Sequence, residues 1–317
     1  GLIIRHHVLL VGDPGCAKSY LVDLLCELID GKKFTRILHP LSVPEELFGS
    51  VDFKAYKEGK YQRIVTGKMP EANVAFIDEI FKSSSAILNI LLKILNERKF
   101  ENDGKTLDCP LDTCVGASNE WNSGSETNAL FDRFLLRRTV KNIQSNPGLD
   151  KLLWADDTAL KPQGVETISR SELTEANRAA MSLPVSEEAK EAVRVIVRDL
   201  RREGVVTGDR RLRQSILAVK GQAFLEGSDE VTTDHLEVLS HVLWIDPKDQ
   251  PEFVAEVVGR TANPVGIQVN KLVVEASELI EECDLESTFD MMEKGTKLDN
   301  IRKKLRKLPG RKAKTRW

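Results

Sequence analysis

No apolar run in this sequence approaches the roughly 18 residues that a membrane-spanning helix needs, and the mean hydropathy is −0.27. A membrane-spanning protein is therefore excluded. The first residues also lack the basic start, long apolar stretch and cleavage site of a secretory leader, so they predict a strand inside a domain. The initiator Met is missing as well, which predicts trimming or processing upstream of Gly1.

Cysteines are few, and none of them has CxxC spacing or a histidine partner nearby in the sequence. An odd total of five argues against a disulfide framework and against a zinc site. The pattern favours a reducing compartment instead, and we predict a cytoplasmic protein. The five are Cys16, Cys26, Cys109, Cys114 and Cys283.

Charge is distributed unevenly, although the net charge is only −3. Nine Lys or Arg residues and no acid lie between Arg302 and Arg316, and without those nine the chain has 37 basic and 49 acidic residues, a balance of −12. An acidic body with a basic end predicts an interaction tail for nucleic acid, an acidic protein surface or a neighbouring subunit. The alternative is a solvated, frayed terminus.

Short apolar strands alternate with amphipathic helices up to about residue 140, which predicts an α/β domain with a mainly parallel sheet. The first unit is a strand at His7–Val11, a glycine-containing turn and a helix that ends with a C-cap at Gly31. The helical spacing predicts an apolar face made of Leu21, Leu24, Leu25 and Leu28.

Two later apolar runs, at 74–77 and 115–118, show no alternation and predict fully buried central strands. Both end in polar residues, and ligands of open α/β sheets bind at the carboxyl ends of the strands. Two β-hairpins are predicted as insertions, one at 51–65 around Glu58-Gly59 and one at 99–107 around Asn102-Asp103-Gly104.

The pattern changes beyond residue 141. Residues 141–182 lose periodicity and contain proline and glycine turns, which predicts a connector. Helical spacing returns at 186–202, 209–226 and 233–244, which predicts a small α-helical domain, and one more apolar stripe follows Pro264.

The turn after the first strand has the spacing of a phosphate-binding loop, except that Ala17 replaces the glycine before Lys18. In such a loop successive backbone N–H groups and the next helix N-terminus face one anionic site, Lys18 adds charge at the β- and γ-phosphates, and Ser19 ligates Mg²⁺. Alanine can adopt most of the required backbone geometry. The alternative is a tight strand-to-helix turn without a ligand.

The strand at 74–77 ends in two adjacent acids, Asp78 and Glu79. Asp78 is placed to hold Mg²⁺ through water, and Glu79 is placed to take a proton from the attacking water, so the pair predicts hydrolysis. Alternatively, the two acids only cap the next helix.

Two polar residues further along complete the candidate site. Asn119 follows the strand at 115–118 and is predicted to orient the lytic water, unless it is only a turn residue. Arg133 can stabilise charge on a transferring phosphoryl group if a neighbouring subunit supplies the nucleotide. A surface salt bridge is the alternative role for Arg133.

These motifs together resemble those of the AAA+ ATPases, and within them the MoxR family, from about Val8 to Pro247. The alanine before Lys18 looks like this family's variant of the loop. The sequence is most similar to the RavA-type branch of this family in four segments. These are Ser42-Val43-Pro44-Glu45-Glu46-Leu47-Phe48-Gly49, Ile87-Leu88-Asn89-Ile90-Leu91-Leu92, Asn96-Glu97-Arg98-Lys99-Phe100 and Ala117-Ser118-Asn119-Glu120. The remaining matches are the loop at 12–19, Asp78-Glu79, Asp132-Arg133-Phe134 and Gly208-Asp209-Arg210-Arg211.

The resemblance implies an α/β AAA+ core with a parallel sheet, followed by a small α-helical lid and a helical basic tail. The expected bounds are 1–145 for the core, 146–182 for the connector, 183–250 for the lid and 251–317 for the C-terminal extension. It also implies a homo-hexameric ring that binds ATP and Mg²⁺ between subunits, with the two insertions facing the ring centre and partners.

The resemblance implies a role for each site residue. The catalytic residues are Glu79, Asn119, Arg133, which comes from the next subunit, and Arg210, the second sensor. Arg210 is preferred to Arg211 because it stands at the start of the lid helix after a short Gly-x turn, although both could be solvated residues at a helix cap. The metal ligands are Ser19 and Asp78. The nucleotide-binding residues are Gly12, Asp13, Pro14, Gly15, Cys16, Ala17, Lys18, Ser19, Tyr20 and Asp78.

Three functions fit these residues. The first is an ATP-driven chaperone that assembles or metallates a protein client with a partner bearing a von Willebrand A domain, as the resemblance implies. The second is a nucleic-acid motor or loader, in which the basic tail and the basic and aromatic residues of 47–65 contact DNA or RNA. The third is a nucleotide-gated structural ring that barely hydrolyses ATP. The acidic body favours the protein client, because it would repel nucleic acid.

Overall fold

A five-stranded parallel sheet forms the centre of the N-terminal domain in the computed structural model, which describes residues 1–121, 124–143, 145–154, 166–281 and 288–307. The strand order is β2-β3-β6-β1-β7, so β1 lies between β6 and β7. These strands are β1 (His7–Val11), β2 (Lys33–Ile37), β3 (Val74–Asp78), β6 (Thr113–Ser118) and β7 (Phe134–Thr139). The predicted parallel α/β core is confirmed.

Burial follows each strand's place in the sheet. Every residue of β6 is buried, and β3 is buried except at Asp78, as expected for central strands covered on both faces. In the edge strand β2 only Phe34 is buried. The apolar runs at 74–77 and 115–118 are therefore the buried strands that the sequence predicts.

Helices cover both faces of this sheet. The largest apolar stripe belongs to α4, in which five residues from Ile87 to Leu95 are buried. The helices of the N-terminal part are α1 (Lys18–Glu27), α2 (Pro44–Phe48), α3 (Phe53–Lys57), α4 (Ser85–Glu97), α5 (Ser125–Phe131), α6 (Asn146–Trp154) and α7 (Arg170–Ser182), with short 3₁₀ turns at Met69–Glu71 and Ile80–Lys82.

The apolar face predicted for α1 is only partly the face that packs on the sheet, because Leu25 contacts the core but Leu21 does not. The helix packs on the sheet through Val22 and Cys26, whereas Leu21 is 58% exposed. The rotation follows from Lys18, whose side chain folds inward, so the residues one and two turns further on the same face are the buried ones. The helix also ends at Glu27, and Gly31 is not its cap.

The first predicted hairpin is wrong, and the second is confirmed. Residues 51–65 contain the helix α3, whose N-cap Asp52 accepts a hydrogen bond from Lys54 N at 2.8 Å, and one isolated antiparallel bridge between Val51 and Arg63. The second insertion is a two-stranded hairpin of β4 (Lys99–Asn102) and β5 (Lys105–Asp108). Its turn residues Asp103 and Gly104 both have positive φ, as an Asp-Gly hairpin turn requires.

The two insertions are joined to each other. The side-chain amide of Asn102, in β4, accepts from Arg63 N at 2.7 Å and donates to Arg63 O at 3.0 Å. Asp103 accepts from Tyr61 N at 2.8 Å. Because the amide group replaces two backbone partners of Arg63, the two insertions form one hydrogen-bonded unit.

The segment 141–182 is not the aperiodic connector that the sequence predicts, because its described residues contain the helices α6 and α7. A capping box begins α7, in which Ser169 accepts from Glu172 N and the Glu172 carboxylate accepts from Ser169 N. That Ser-x-x-Glu signal is visible in the sequence. The domain bounds themselves stay a prediction.

The C-terminal part is helical, as predicted. The helices at 186–202 and 209–226 are confirmed as α8 (Glu187–Arg202) and α9 (Asp209–Leu225), whereas the third is a 3₁₀ helix at Thr233–His241. The chain continues in α10 (Gln250–Ala262), α11 (Pro264–Glu281) and α12 (Thr288–Lys307). The cations from Arg302 to Lys307 end α12, and the rest of the basic tail lies outside the described residues, as does Cys283.

Two buried arginines join the helical domain to the sheet domain in opposite directions. Arg211, in α9, donates to Leu135 O at 3.1 Å, Phe134 O at 3.0 Å, and both Oδ1 and the carbonyl of Asp132. Arg137, in β7, donates to the carbonyl of Trp244 in the helical domain. One hydrophobic cluster runs through both domains around this joint.

We predict that Arg211→Leu lowers the free energy of unfolding by about 3–5 kcal/mol, because the substitution leaves buried carbonyls and the Asp132 carboxylate without their donor. Chemical denaturation monitored by circular dichroism measures the change. The matched control is Arg213→Leu on the exposed side of α9, which should change stability by no more than about 0.5 kcal/mol. Equal effects of the two substitutions would contradict a structural role for Arg211.

A second prediction concerns the histidine pair at the start of β1. Burial and the nearby charge of Arg98 lower the pKa of His6 to about 4, and burial holds the pKa of His7 well below 6.5. His7 Nδ1 accepts from Cys114 N at 2.9 Å, which requires an unprotonated Nδ1. Between pH 6.5 and 4 the unfolded chain therefore binds protons that the folded chain does not, and stability should fall as the pH is lowered.

Urea denaturation at several pH values between 6.5 and 5.5 checks this dependence. The variant His6→Asn should show a shallower slope of unfolding free energy against pH than the unchanged protein, by up to about one proton. An identical slope in both proteins would rule out this role for His6.

Candidate functional site

The turn after β1 has the backbone of an anion-binding loop. Gly15 and Ala17 both lie in the left-handed region, with φ of 84° and 55°, and they flank Cys16. Ala17 therefore takes the conformation that glycine adopts at this position in the usual motif, at the modest cost that a Cβ imposes there. Gly12 is required for another reason, because a Cβ on it would lie 2.0 Å from the Val140 carbonyl oxygen.

Lys18 points into this loop from the first turn of α1. Its Nζ donates to the carbonyl oxygens of Gly12 at 2.9 Å and Asp13 at 2.7 Å, and only 8% of the residue is exposed. The loop thus encloses a positive charge beside the N-terminus of α1, where partial positive charge also accumulates. This combination suits the phosphates of a nucleotide.

The loop residues around this lysine point outward or to neighbouring loops. Asp13 and Pro14 are exposed, and the Cys16 thiol donates to Asn142 Oδ1 at 3.1 Å. Tyr20 lies one turn into α1 and is 43% exposed. The predicted binding residues from Gly12 to Tyr20 therefore form the loop after β1 and the first turn of α1.

Ser19 and Asp78 meet at the carboxyl edge of the sheet, as expected of Mg²⁺ ligands. Ser19 Oγ donates to Asp78 Oδ2 at 3.2 Å, and Asp78 Oδ1 accepts from Glu79 N at 3.0 Å. A hydroxyl and a carboxylate oxygen side by side fit a hard cation that completes its shell with phosphate oxygens and water. The residues present therefore fit Mg²⁺, which would be held by Ser19 and Asp78 and would neutralise phosphate charge.

Glu79 follows directly in an unusual conformation. Its backbone is left-handed, with φ of 53°, and this turns the chain out of β3 into the 3₁₀ turn at Ile80–Lys82. Lys82 Nζ lies 3.5 Å from Glu79 Oε2 and 3.7 Å from Glu120 Oε1, so Lys82 bridges the ends of β3 and β6. Sequence reasoning missed Lys82, and its position three residues after Glu79 is the signal for it.

Three buried side-chain atoms in the described part of the chain have no hydrogen-bond partner, and all three belong to predicted catalytic residues. They are Glu79 Oε2, Asn119 Oδ1 and Arg133 Nε. Leaving a buried polar atom unpaired costs about 1–3 kcal/mol, so folded proteins rarely do so without a reason. Glu79 and Asn119 directly follow the neighbouring strands β3 and β6, so both oxygens lie at the carboxyl edge of the sheet, where the loop after β1 also lies.

Arg133 lies at the opposite edge of the sheet. It immediately precedes β7, whose first residue Phe134 is paired with His7, the first residue of β1. Since β1 has five residues, this edge lies about 16 Å from the phosphate loop. Burial, followed by the charge of Arg210, lowers the pKa of Arg133, and its Nη1 lies 3.4 Å from Asp132 Oδ2.

Arg210 lies on the same side as Arg133. Its Nη2 donates to Asn96 Oδ1 at 2.8 Å in the last turn of α4, and Arg98, which follows that turn, contacts His7 Nε2 at 2.7 Å. Arg210 is exposed, whereas all three nitrogens of Arg211 donate to groups of the joint. Arg210 is therefore the arginine with a side chain available for a ligand.

An aromatic cluster connects these two edges, and sequence reasoning missed it. Trp121 lies between Phe81 and Phe131, with ring centroids 5.3 Å and 4.2 Å away, and Phe131 lies 5.8 Å from Trp244 of the helical domain. The guanidinium carbon of Arg137 lies 3.7 Å from the Phe131 centroid. The available signal is position, because Phe81 and Trp121 each follow a predicted catalytic residue by two places.

Two family models match the chain. Residues 1–178 match the model described as the MoxR domain in the MoxR-vWA-beta-propeller ternary systems, and residues 189–258 match an AAA lid domain. An uncharacterized protein of Methanocaldococcus jannaschii is 32% identical over 81% of this chain and 68% of its own length. The chaperone MoxR1 of Mycobacterium tuberculosis is 31% identical over 35% of this chain and 28% of its own length.

A solved structure has the same architecture. The crystal structure of a candidate ATPase from Cytophaga hutchinsonii superposes with a TM-score of 0.65, covering 83% of this chain and 87% of that chain at 19% identity. This similarity supports the fold, an α/β AAA+ core with a helical lid. The chain belongs to the MoxR family of AAA+ ATPases. None of the described helices is both long and apolar enough to cross a membrane.

Proposed function

We propose that this protein hydrolyses Mg-ATP and uses the energy to remodel a protein client. The observation that carries the proposal is the set of three orphaned polar atoms, Glu79 Oε2, Asn119 Oδ1 and Arg133 Nε. Glu79 Oε2 lies at ion-pair distance from Lys82 but accepts no hydrogen bond, so it can accept a proton from water. An amide oxygen nearby is free to orient that water, and a guanidinium N–H is free to meet phosphate.

The roles follow from the two edges of the sheet. At the carboxyl edge, Lys18 and the backbone N–H groups of the loop that leads into α1 bind the phosphates, while Ser19 and Asp78 hold Mg²⁺. Glu79 removes a proton from the attacking water, and Asn119 orients that water. Lys82 Nζ, 3.5 Å from Glu79 Oε2, lies beside the carboxylate and helps to hold it in position.

The arginines complete the site from a second subunit. Arg133 lies at the amino end of β1, about 16 Å from its own phosphate loop, and Arg210 lies on the same side of the sheet as Arg133. We therefore propose that both reach the nucleotide of the neighbouring subunit in a ring, which the predicted hexamer supplies. The desolvated Arg133 and the exposed Arg210 then meet the charge that develops on the γ-phosphate.

The nature of the client rests on the family. The matching model describes MoxR domains in systems with vWA and beta-propeller components, and we propose a von Willebrand A domain protein as the partner in assembly or metallation of a client. The similarity to the RavA-type branch stays a prediction. The described cations of the basic tail, from Arg302 to Lys307, keep nucleic acid as the alternative partner.

We predict that Glu79→Gln binds ATP with unchanged affinity but hydrolyses it at least about 100-fold more slowly, because glutamine cannot act as the base. Lys18→Ala should lose ATP binding. Phosphate release and fluorescent-nucleotide titration measure the two properties. Hydrolysis by Glu79→Gln at the unchanged rate would contradict the mechanism.

The same two variants identify the client. A nuclease-treated pull-down with ATP-trapped Glu79→Gln should retain proteins that Lys18→Ala does not, and mass spectrometry names them. A von Willebrand A protein or a metalloenzyme in that set would support the chaperone function. Nucleic acid retained from an untreated lysate, with no enriched protein, would favour the motor or loader instead.

Mixing inactive variants tests whether the arginines act on a neighbour. Lys18→Ala and Arg133→Ala should each be inactive alone, and an equal mixture should regain about a quarter of full activity, because that share of interfaces has both halves intact. A mixture of Arg133→Ala with Arg210→Ala should regain nothing, since every interface then lacks one arginine. Recovery in the second mixture would show that Arg210 acts on its own nucleotide.

A further inference from the structure

The lid has an open groove between α8 and α9 that the proposed function does not use. Its volume is about 670 Å³, and its floor is apolar, made of Val193, Val197, Leu212 and Ile216. These four residues are only partly buried within the chain. An apolar floor left partly open in this way fits a protein partner rather than a solvated surface.

Arginines line this groove, although the body of the chain is acidic. Four of them extend from α8, namely Arg194, Arg198, Arg201 and Arg202. Arg194, Arg201 and Arg202 have exposed carboxylate neighbours at 2.8, 3.9 and 3.6 Å. Arg198, between them, makes no ion pair within the described residues. The groove therefore fits an amphipathic helix that carries acids beside apolar residues.

The N-terminal domain presents such a helix, α1. The outer face of α1 combines Leu21, which is 58% exposed, with the partly exposed Leu24. Asp23 and Glu27 are exposed one helical turn apart on this helix. Neither makes an ion pair within the described part of the chain. Leu21 and Leu24 belong to the apolar face that the sequence predicts for this helix.

The helix α1 and the groove helix α9 both begin beside a nucleotide in the proposed ring. The helix α1 starts at Lys18 in the phosphate loop, and α9 starts beside Arg210, which we place against the nucleotide of the next subunit. At 1.5 Å per residue, Asp23 and Glu27 lie about 8–14 Å from Lys18 along α1. Leu212 and Ile216 lie about 3–9 Å from Arg210 along α9. Bringing Arg210 to the neighbouring loop therefore brings the groove next to the neighbouring α1.

We propose that the lid groove binds the α1 helix of a second copy of this chain, with Arg198 between Asp23 and Glu27 and with Leu21 and Leu24 on the apolar floor. This inference rests on the proposed function, since it uses the contact of Arg210 with the neighbouring nucleotide. The two surfaces differ, so the contact is heterologous and repeats head to tail into a ring. It attaches each lid to the helix that carries Lys18 and Ser19 of its neighbour.

Charge reversal and exchange test the contact. The assay is sedimentation velocity of the Glu79→Gln protein with Mg-ATP over a range of concentrations. Arg198→Glu should weaken association about tenfold or more, and Asp23→Arg with Glu27→Arg should weaken it similarly, because like charges then face each other. All three changes together should restore association to within about threefold. Arg178→Glu, an exposed reversal on α7 outside the groove, is the matched control and should change nothing.

The outcomes separate this proposal from the proposed function. Fluorescent-nucleotide affinity of each variant, measured where the chain is monomeric, should stay within about twofold, and thermal melts confirm folding. Full association despite Arg198→Glu overturns the contact but leaves the ring intact. Weakening without rescue by the exchange also overturns it, because the groove then binds another element. Failure of the unchanged chain to associate overturns both proposals. Loss of DNA binding in Arg198→Glu with unchanged association assigns the groove to nucleic acid.

Discussion

The joint between the two domains depends on two buried guanidinium groups that point in opposite directions. Arg211 of the lid satisfies carbonyls of the segment 132–135, and Arg137 of the core satisfies the Trp244 carbonyl of the lid. If either guanidinium moved out of the joint, several buried carbonyl oxygens would lose their hydrogen-bond donor, and each loss would cost about 1–3 kcal/mol of stability. The lid and the segment that carries Arg133 therefore move together, and a nucleotide that shifts one must shift the other.

The positions of the candidate site residues in the fold could be predicted from the sequence, because strand ends and loop spacing place them. The phosphate loop, the buried strands and the hairpin at 99–108 are found where the spacing puts them. The face of α1 and the insertion at 51–65 could not be predicted, because long-range contacts decide them. The buried Lys18 sets the rotation of α1, and the Asn102 amide supplies Arg63 with partners that a strand would otherwise provide.

The positions of the arginines also depend on topology rather than on motif. Arg210 and Arg211 are adjacent in a helix and identical in type, yet one is exposed and the other is 3% exposed at the joint. A helix turns by about 100° per residue, so the side chain that meets Asp132 excludes its neighbour from the same place. Local sequence therefore offers two candidates, and the packing of the lid on β7 separates them.

The sheet gives a subunit two incomplete half-sites. In the proposed mechanism, the carboxyl edge of the sheet supplies the base Glu79, the amide of Asn119 and the loop for the phosphates, while the amino edge supplies Arg133 and Arg210 for the nucleotide of the neighbouring subunit. Glu79, Asn119 and Arg133 each have a buried polar atom without a hydrogen bond, a cost that the nucleotide and the neighbouring subunit would remove in the proposed ring. In the proposed ring, nucleotide binding at the carboxyl edge would be coupled to the position of Arg133 at the amino edge. The strand β1 and the aromatic cluster from Phe81 to Trp244 connect the two edges. Since that cluster ends at Trp244 in the lid, the same packed contacts would couple the nucleotide site to the lid, and the lid contacts the next subunit in the proposed ring.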